Sequence, residues 1–271
     1  STDYDPYSPH IAIQNDGNPY IAFEMSASGS TNPQQMFCKS NDGGFTFSNE
    51  ITSNTLAPGK PCECCPPFLL LNDSMVYLLY RNNTSNIRDI YCAVSKNSGS
   101  SFDTVVRIDF TNYYINGCPS QGPEAIFSGD SIVAVWTGKP MGSYARIYAG
   151  NFHAGTFETG INIMIDSLIT GNVVQWNPVI SGSTDTFGVA WEDIRTGEKA
   201  CYMSVSTDGL YGFDSVIMIS DSAVTDAQLT PGIAYRDGVF HIVYRNEVEN
   251  QVIYRKLSIA KKTKVEELLK N

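Results

Sequence analysis

No stretch of this chain approaches the roughly 18 consecutive apolar residues that a membrane-crossing helix requires, so no membrane span is expected. Positive charge is scarce as well: 18 Lys and Arg stand against 28 Asp and Glu, for a formal net charge of −10. Phosphate binding draws on counterion release at a basic surface, so that balance argues against a nucleic-acid partner. The basic residues crowd toward the C-terminus, at Arg255, Lys256, Lys261, Lys262, Lys264 and Lys270, where a solvated tail accounts for them. Histidine is nearly missing, with only His10, His153 and His241. Charged residues are 17% of the 271 and hydrophobic ones 42%, so a large core is available and disorder is not expected. The chain opens on "STDYDPYSPH" without an initiator Met, which reads as a processed mature chain with its signal peptide removed, secreted or periplasmic.

Against these shortages stand 22 Gly, 13 Pro and 15 Tyr, a composition that suits short strands joined by tight turns. Internal periodicity organises them. A proline followed by an apolar strand recurs at Pro9, Pro67, Pro123, Pro178 and Pro231, in steps of 58, 56, 55 and 53 residues. A second apolar strand follows each time: "YIAFE", "VYLLYR", "IVAVWT", "FGVAWE" and "FHIVYR". A third reads "MFCKS", "DIYCAVS", "RIYAG", "CYMSVS" and "VIYRKLS". Four units close on Phe47, Phe102, Phe157 and Phe213. The turns before them read "SNDGGFTF", "SKNSGSSF", "GNFHAGTF" and "STDGLYGF". In these turns Asp42, Asn97 or Asp208 is placed to accept from nearby backbone N–H groups, Gly supplies φ > 0, and the aromatic is expected to pack under the hairpin.

The pattern S-x-D-x-G-x-x-F/W resembles the Asp-box, or BNR repeat, of the sialidase-like β-propellers. The first copy matches closely, the second replaces Asp with Asn, the fourth shifts its Gly by one, and the third is degenerate. The resemblance implies an all-β propeller of five four-stranded blades, with six as the alternative. The blades fall at approximately 5–58, 59–114, 115–170, 171–224 and 225–271, the last completed by "TKVEELLK" as outer strand or terminal helix. It further implies that loops entering the first strand and leaving the second share the ligand-binding face around the axis, with the Asp-box turns opposite.

On that placement, the segment "GKPCECCPPFLLL" becomes informative. Cys62 and Cys118 each lie five residues before a blade proline, in the entering loops of neighbouring blades, and Cys64 and Cys65 sit between Cys62 and the strand. Three chemistries fit four converging sulfurs. Thiolates suit a soft metal, and the tight C-x-C-C spacing favours Cu(I) over Zn(II), with Cys62, Cys64, Cys65 and Cys118 as ligands. A Cys62–Cys118 bridge with a free or vicinally bonded Cys64–Cys65 pair suits an exported protein. A redox or nucleophilic thiol is the third, for which none of the three His supplies an obvious base. Cys38, Cys92 and Cys201, all in third strands, read as buried small hydrophobes.

The same face is expected to carry Arg81, Arg88, Glu124, Glu192, Arg195 and Arg245, either as a structural ion-pair network or as a pocket gripping a small anionic or glycan ligand. The family resemblance offers sialidase-like glycoside hydrolysis as an alternative activity. No catalytic residue carries over, because the Arg-Ile-Pro signature is absent and no acid/base Asp can be placed by motif. The leading expectation is therefore an exported propeller with an axial soft-metal site. A glycoside hydrolase and a non-catalytic binding or assembly module with structural disulfides are the alternatives.

Overall fold

The computed structural model describes residues 4–27, 32–221 and 228–259. Among these residues it has twenty strands, no helix, and five antiparallel sheets that follow the proline repeat in order. Blade 1 comprises β1 (Tyr4–Ile13), β2 (Pro19–Ala27), β3 (Gln34–Lys39) and β4 (Ile51–Thr52). In blade 2 the inner strand is split into β5 (Lys60–Pro61) and β6 (Phe68–Asn72), followed by β7 (Met75–Asn83), β8 (Ile90–Ser95) and β9 (Thr104–Arg107). Blade 3 holds β10 (Glu124–Ser128), β11 (Ser131–Gly138), β12 (Arg146–His153) and β13 (Thr159–Met164). Blade 4 holds β14 (Gln175–Gly182), β15 (Phe187–Asp193), β16 (Ala200–Ser206) and β17 (Ile217–Met218). Blade 5 has β18 (Gln228–Arg236), β19 (Val239–Asn246) and β20 (Gln251–Ser258). The segment "TKVEELLK" lies outside the described residues.

Each sheet runs as an up-and-down meander, and period-two alternation sends successive side chains to the two neighbouring blades. Four apolar clusters result. Tyr20, Ala22, Phe37, Leu78 and Tyr80 join blades 1 and 2. Tyr77, Leu79, Trp136 and Phe152 join blades 2 and 3. Val133, Val135, Val189 and Trp191 join blades 3 and 4, and Ala190, Met203, Phe240 and Ile242 join blades 4 and 5.

Among the described residues no such cluster joins blade 5 back to blade 1. Ile11 and Ile13, on the outward face of β1, are 56% and 60% exposed, and Val252 on β20 is 76% exposed. The five wedges pack consecutively, but the ring closure expected of a propeller is not seen here as sheet-to-sheet packing.

The first two polar turns behave as their chemistry predicts, and in the fourth it is Ser206 Oγ that accepts, from Asp208 N at 3.2 Å. Asp42 Oδ1 accepts from Thr46 N at 2.8 Å, and Ser40 Oγ accepts from Gly44 N at 2.8 Å. Asn97 and Ser95 repeat both contacts with Ser101 N and Gly99 N, each at 2.9 Å. Gly99 sits at φ 78°, and a Cβ there would lie 2.1 Å from the Phe37 ring. In the degenerate third turn His153 Nδ1 takes over, accepting from Gly155 N and Thr156 N at 3.0 Å. The closing aromatics pack on the preceding blade: Phe102 meets Phe37 edge-on at 5.4 Å. Phe47 departs from the expected burial and is exposed: the blade that would precede it is blade 5, with which blade 1 shares no apolar cluster among the described residues.

Candidate functional site

The site grows out of how each inner strand copes with its proline. Proline has no N–H to donate, so the ladder breaks there. In blades 1, 4 and 5 the break is a bulge, with register slips between Tyr7 and His10, Trp176 and Val179, and Leu229 and Gly232. The residue before each proline takes a left-handed φ: 51° at Ser8, 49° at Asn177 and 56° at Thr230. Blade 2 enlarges the same break. Pro61 pairs with Asn82 and Phe68 with Leu79, so residues 62–67 loop out opposite residues 80 and 81 alone. That loop is Cys62-Glu63-Cys64-Cys65-Pro66-Pro67. Blade 3 lays its own approach, residues 118–123, across it. Gly122 permits the contact: a Cβ there would sit 2.0 Å from the Pro66 carbonyl oxygen.

Four sulfurs converge where the two loops meet. Cys64 and Cys118 are joined by a disulfide that ties blade 2 to blade 3, their Cα atoms 6.5 Å apart. The bridge from Cys62 to Cys118 and the vicinal Cys64–Cys65 bond, both considered from the sequence, are not the pairing found. Cys62 is held inward because its N–H donates to Arg81 O at 2.9 Å, and Cys64, further round the loop, is the sulfur that reaches blade 3. Cys62 Sγ lies 3.4 Å from Cys118 Sγ and 3.2 Å from Cys65 Sγ, and Cys65 Sγ lies 3.6 Å from Cys118 Sγ. Cys62 and Cys65 are buried, whereas Cys64 and Cys118 are partly exposed.

The surroundings are cationic. Arg88 Nη1 donates to Cys62 Sγ at 2.9 Å and to Glu63 Oε2 at 2.8 Å, and Lys60 Nζ pairs with Glu63 Oε1 at 2.9 Å. Arg81 is fully buried and donates only to the carbonyls of Gln121, Arg88 and Thr137; among the described residues no carboxylate is within ion-pair distance of it. The hydrogen bond from Cys65 pulls Cys62 down from 9.0 to about 7; burial opposes this, and Arg88 and Arg81 add to it. Cys65 is driven the other way, by burial first and by donating to Cys62. Burial works against ionised Glu63, yet Arg88 and Lys60 hold it down at about 2. On the blade 1 side, Tyr7 OH donates to Glu24 Oε1 at 2.6 Å, and burial raises Glu24 to about 8.

Beside this cluster an axial cavity of about 270 Å³ is lined by every blade: His10, Pro67, Glu124, Asn177 and Pro231 represent them. Burial raises Glu124 there to about 7, and its Oε2 accepts from Ile180 N at 3.2 Å. The remaining sequence-predicted residues are dispersed. Glu192 accepts from Asn177 Nδ2 and Thr230 N. Arg195 is clamped by Asp193 and Asp166 and stacks over Tyr202 at 4.2 Å. Arg245 stands exposed on β19. Of the six, Arg81 and Arg88 join the sulfurs and Glu124 alone lines the cavity. Sequence reasoning missed Glu63 as the anion that orients Arg88, and missed the Tyr7–Glu24 pair. The first was visible as the single acid inside the cysteine run. Cys92 and Cys201 are core residues, as expected, and Cys38 is buried in β3.

Fold and site together define an all-β propeller with a cysteine cluster beside its axis. No family model matches the chain, and no curated protein matches it. Its fold is similar to that of solved glycoside hydrolases. One is the GH93 α-L-arabinofuranosidase of Fusarium graminearum in complex with arabinobiose, at TM-score 0.64 and 11% identity, covering 94% of this chain and 81% of that one. Another is the Penicillium chrysogenum α-L-arabinanase complexed with arabinobiose, at TM-score 0.64 and 13% identity, covering 96% and 83%. A third is the endo-arabinase from Bacteroides thetaiotaomicron, at TM-score 0.50 and 15% identity, covering 94% of each chain. These likenesses concern the fold. Among the described residues no helix is long and apolar enough to cross a membrane.

Proposed function

We propose that the cysteine cluster is the functional centre and that, with the bridge reduced, it binds a soft metal ion, Cu(I) in preference to Zn(II). Cys62, Cys65 and Cys118 are the ligands, and Cys64 Sγ, bonded to Cys118, lies outside their triangle. The observation that carries this reading is the triangle of Sγ atoms, with edges of 3.2, 3.4 and 3.6 Å. Three thiolates around one ion at about 2.3 Å stand about 4.0 Å apart, so the triangle needs to open by roughly half an ångström. Charge points the same way. Cu(I) with three thiolates carries two negative charges, and Arg81 and Arg88 are two neighbouring guanidinium groups, the first of them without a carboxylate partner. Anaerobic titration of the fully reduced protein with Cu(I), against a competing chromophoric chelator, tests the reading. One tightly held ion per chain is expected, lost in Cys62→Ser and in Cys65→Ser. Failure of the reduced wild type to retain stoichiometric metal overturns it.

A second reading, glycoside hydrolysis, is favoured by Glu124. A carboxyl held protonated to about 7 on an axial cavity is suited to general-acid work. The arabinobiose complexes of the similarly folded enzymes suggest an arabinose-containing glycan as its substrate. Such an enzyme needs a second carboxylate about 5–9.5 Å away, and among the described residues Glu124 is the only carboxylate lining that cavity. Reducing-sugar release from arabinan, abolished by Glu124→Gln, would promote this reading; absence of turnover on arabinan and on a fluorogenic sialoside removes it.

A further inference from the structure

The disulfide and the two thiols beside it form one continuous sulfur system. Cys118 is its hub: it is bonded to Cys64, and the other two sulfurs lie 3.4 and 3.6 Å from it. Thiol–disulfide exchange requires a thiolate placed against a disulfide sulfur and a departing sulfur with somewhere to go. Cys62 meets the first condition. It lies against Cys118, and the Arg88 guanidinium at 2.9 Å favours charge on its sulfur. Cys64 meets the second: it is partly exposed, and Ser120 Oγ at 3.3 Å is placed to donate to a departing thiolate.

We propose that the bridge is mobile, and that Cys62 and Cys64 exchange places on Cys118 so that the protein undergoes thiol–disulfide exchange with an external disulfide. In the internal step the Cys62 thiolate attacks Cys118 Sγ. The Cys62–Cys118 bond forms, the Cys64–Cys118 bond breaks, and its electron pair leaves on Cys64. No oxidant or reductant is consumed. In the external step the released Cys64 thiolate attacks a partner of the form R–S–S–R, giving Cys64–S–S–R and expelling RS⁻. Cys65 is the bystander: it donates to Cys62 and so favours the attacking thiolate. The buried pair thus communicates with solvent through Cys64, without opening of the blade 2–blade 3 junction.

The test uses oxidised, chelator-treated full-length protein and 5,5′-dithiobis(2-nitrobenzoate) as the external disulfide. Release of thionitrobenzoate is followed by absorbance, and the labelled cysteine is located by peptide mass mapping. In the wild type the label is expected on Cys64, which is possible only if the bridge has moved. Cys62→Ser is expected to slow labelling of Cys64 at least tenfold, while Cys65→Ser retains it. Cys64→Ser is expected to show a Cys62–Cys118 bridge on mapping, a readout that does not depend on how well Cys62→Ser folds. Absence of label on Cys64 in the wild type, or absence of the Cys62–Cys118 bridge in Cys64→Ser, overturns the proposal. So does labelling of Cys64 that depends on Cys65 in place of Cys62. Because the exchange is read in oxidised, metal-free protein and Cu(I) binding in reduced protein, either can fail alone.

Discussion

At the junction of blades 2 and 3, Tyr77, Trp136 and Phe152 are enclosed, Arg81 is sealed beneath them, and a disulfide crosses between the sheets. On the facing surfaces of blades 5 and 1, Val243, Val252, Tyr254, Ile11 and Ile13 stand exposed. Both regions come from the same repeat and the same alternation of apolar residues. A blade exposes two faces, and either becomes core only when a neighbouring wedge covers it. The repeat specifies blades, whereas burial is conferred by adjacency. It also explains why the sulfurs lie where they do. A cluster that depends on Sγ separations of 3.2–3.6 Å needs loops held from both sides, and the sealed junction supplies that.

The largest effect is expected from truncating Trp136, a large and fully buried side chain at the blade 2–blade 3 junction. Trp136→Ala is expected to cost about 3–5 kcal/mol in denaturant-induced unfolding, because a large cavity is left in a packed core. An unfolding midpoint close to that of the wild type would mean the junction is no tighter than the seam. Next in size is the covalent tie. Cys118→Ser, measured without reductant, is expected to lose about 2–4 kcal/mol, since the bridge restricts the unfolded chain over a separation of 54 residues. The wild type in dithiothreitol should approach the same value.

A third expectation concerns pH. Burial raises Glu24 from 4.5 to about 8, so between those values the folded chain binds more protons than the unfolded one. Stability from this group is therefore present below pH 4.5 and is lost as pH climbs toward 8. Cys62 acts in the opposite sense only above about 7, where its lowered value adds stability as pH rises. The decline is thus clearest between pH 5 and 7, at about 2 kcal/mol. Glu24→Gln should make this slope in Tm shallower across that range, leaving the part that Glu124 contributes in the same sense, and an unchanged slope would assign it elsewhere. The smallest effect belongs to the seam. Ile13→Ser and Val252→Ser are each expected to stay within about 0.5 kcal/mol of wild type. A loss of several kcal/mol from either would show that the seam is covered in solution.

Several features were legible from residues alone. The proline steps gave the order of the blades, and Ser40, Asp42, Ser95 and Asn97 make the turn contacts that their side chains suggest. The convergence of Cys62, Cys64, Cys65 and Cys118 followed from equivalent positions on adjoining repeats together with the placement of entering loops beside the axis that the propeller resemblance implies. Which sulfurs bond was not legible. That depended on the backbone contact from Cys62 to Arg81, a consequence of how the six-residue loop folds back on β7. The grouping of Arg81, Arg88, Glu124, Glu192, Arg195 and Arg245 as one pocket did not emerge either. Position along a strand places a residue near the axis, but its direction depends on partners such as Asp166 and Thr230 that lie far off in sequence.

By itself, then, the sequence determined a succession of sheets and the loops that carry the cysteines, since turn chemistry and alternation act over a few residues. Only the tertiary structure decided which sulfur meets which, which arginine is sealed, and which blade faces are left uncovered among the described residues. Those outcomes depend on contacts between blades, where separations of about fifty residues are closed by packing that no local pattern encodes.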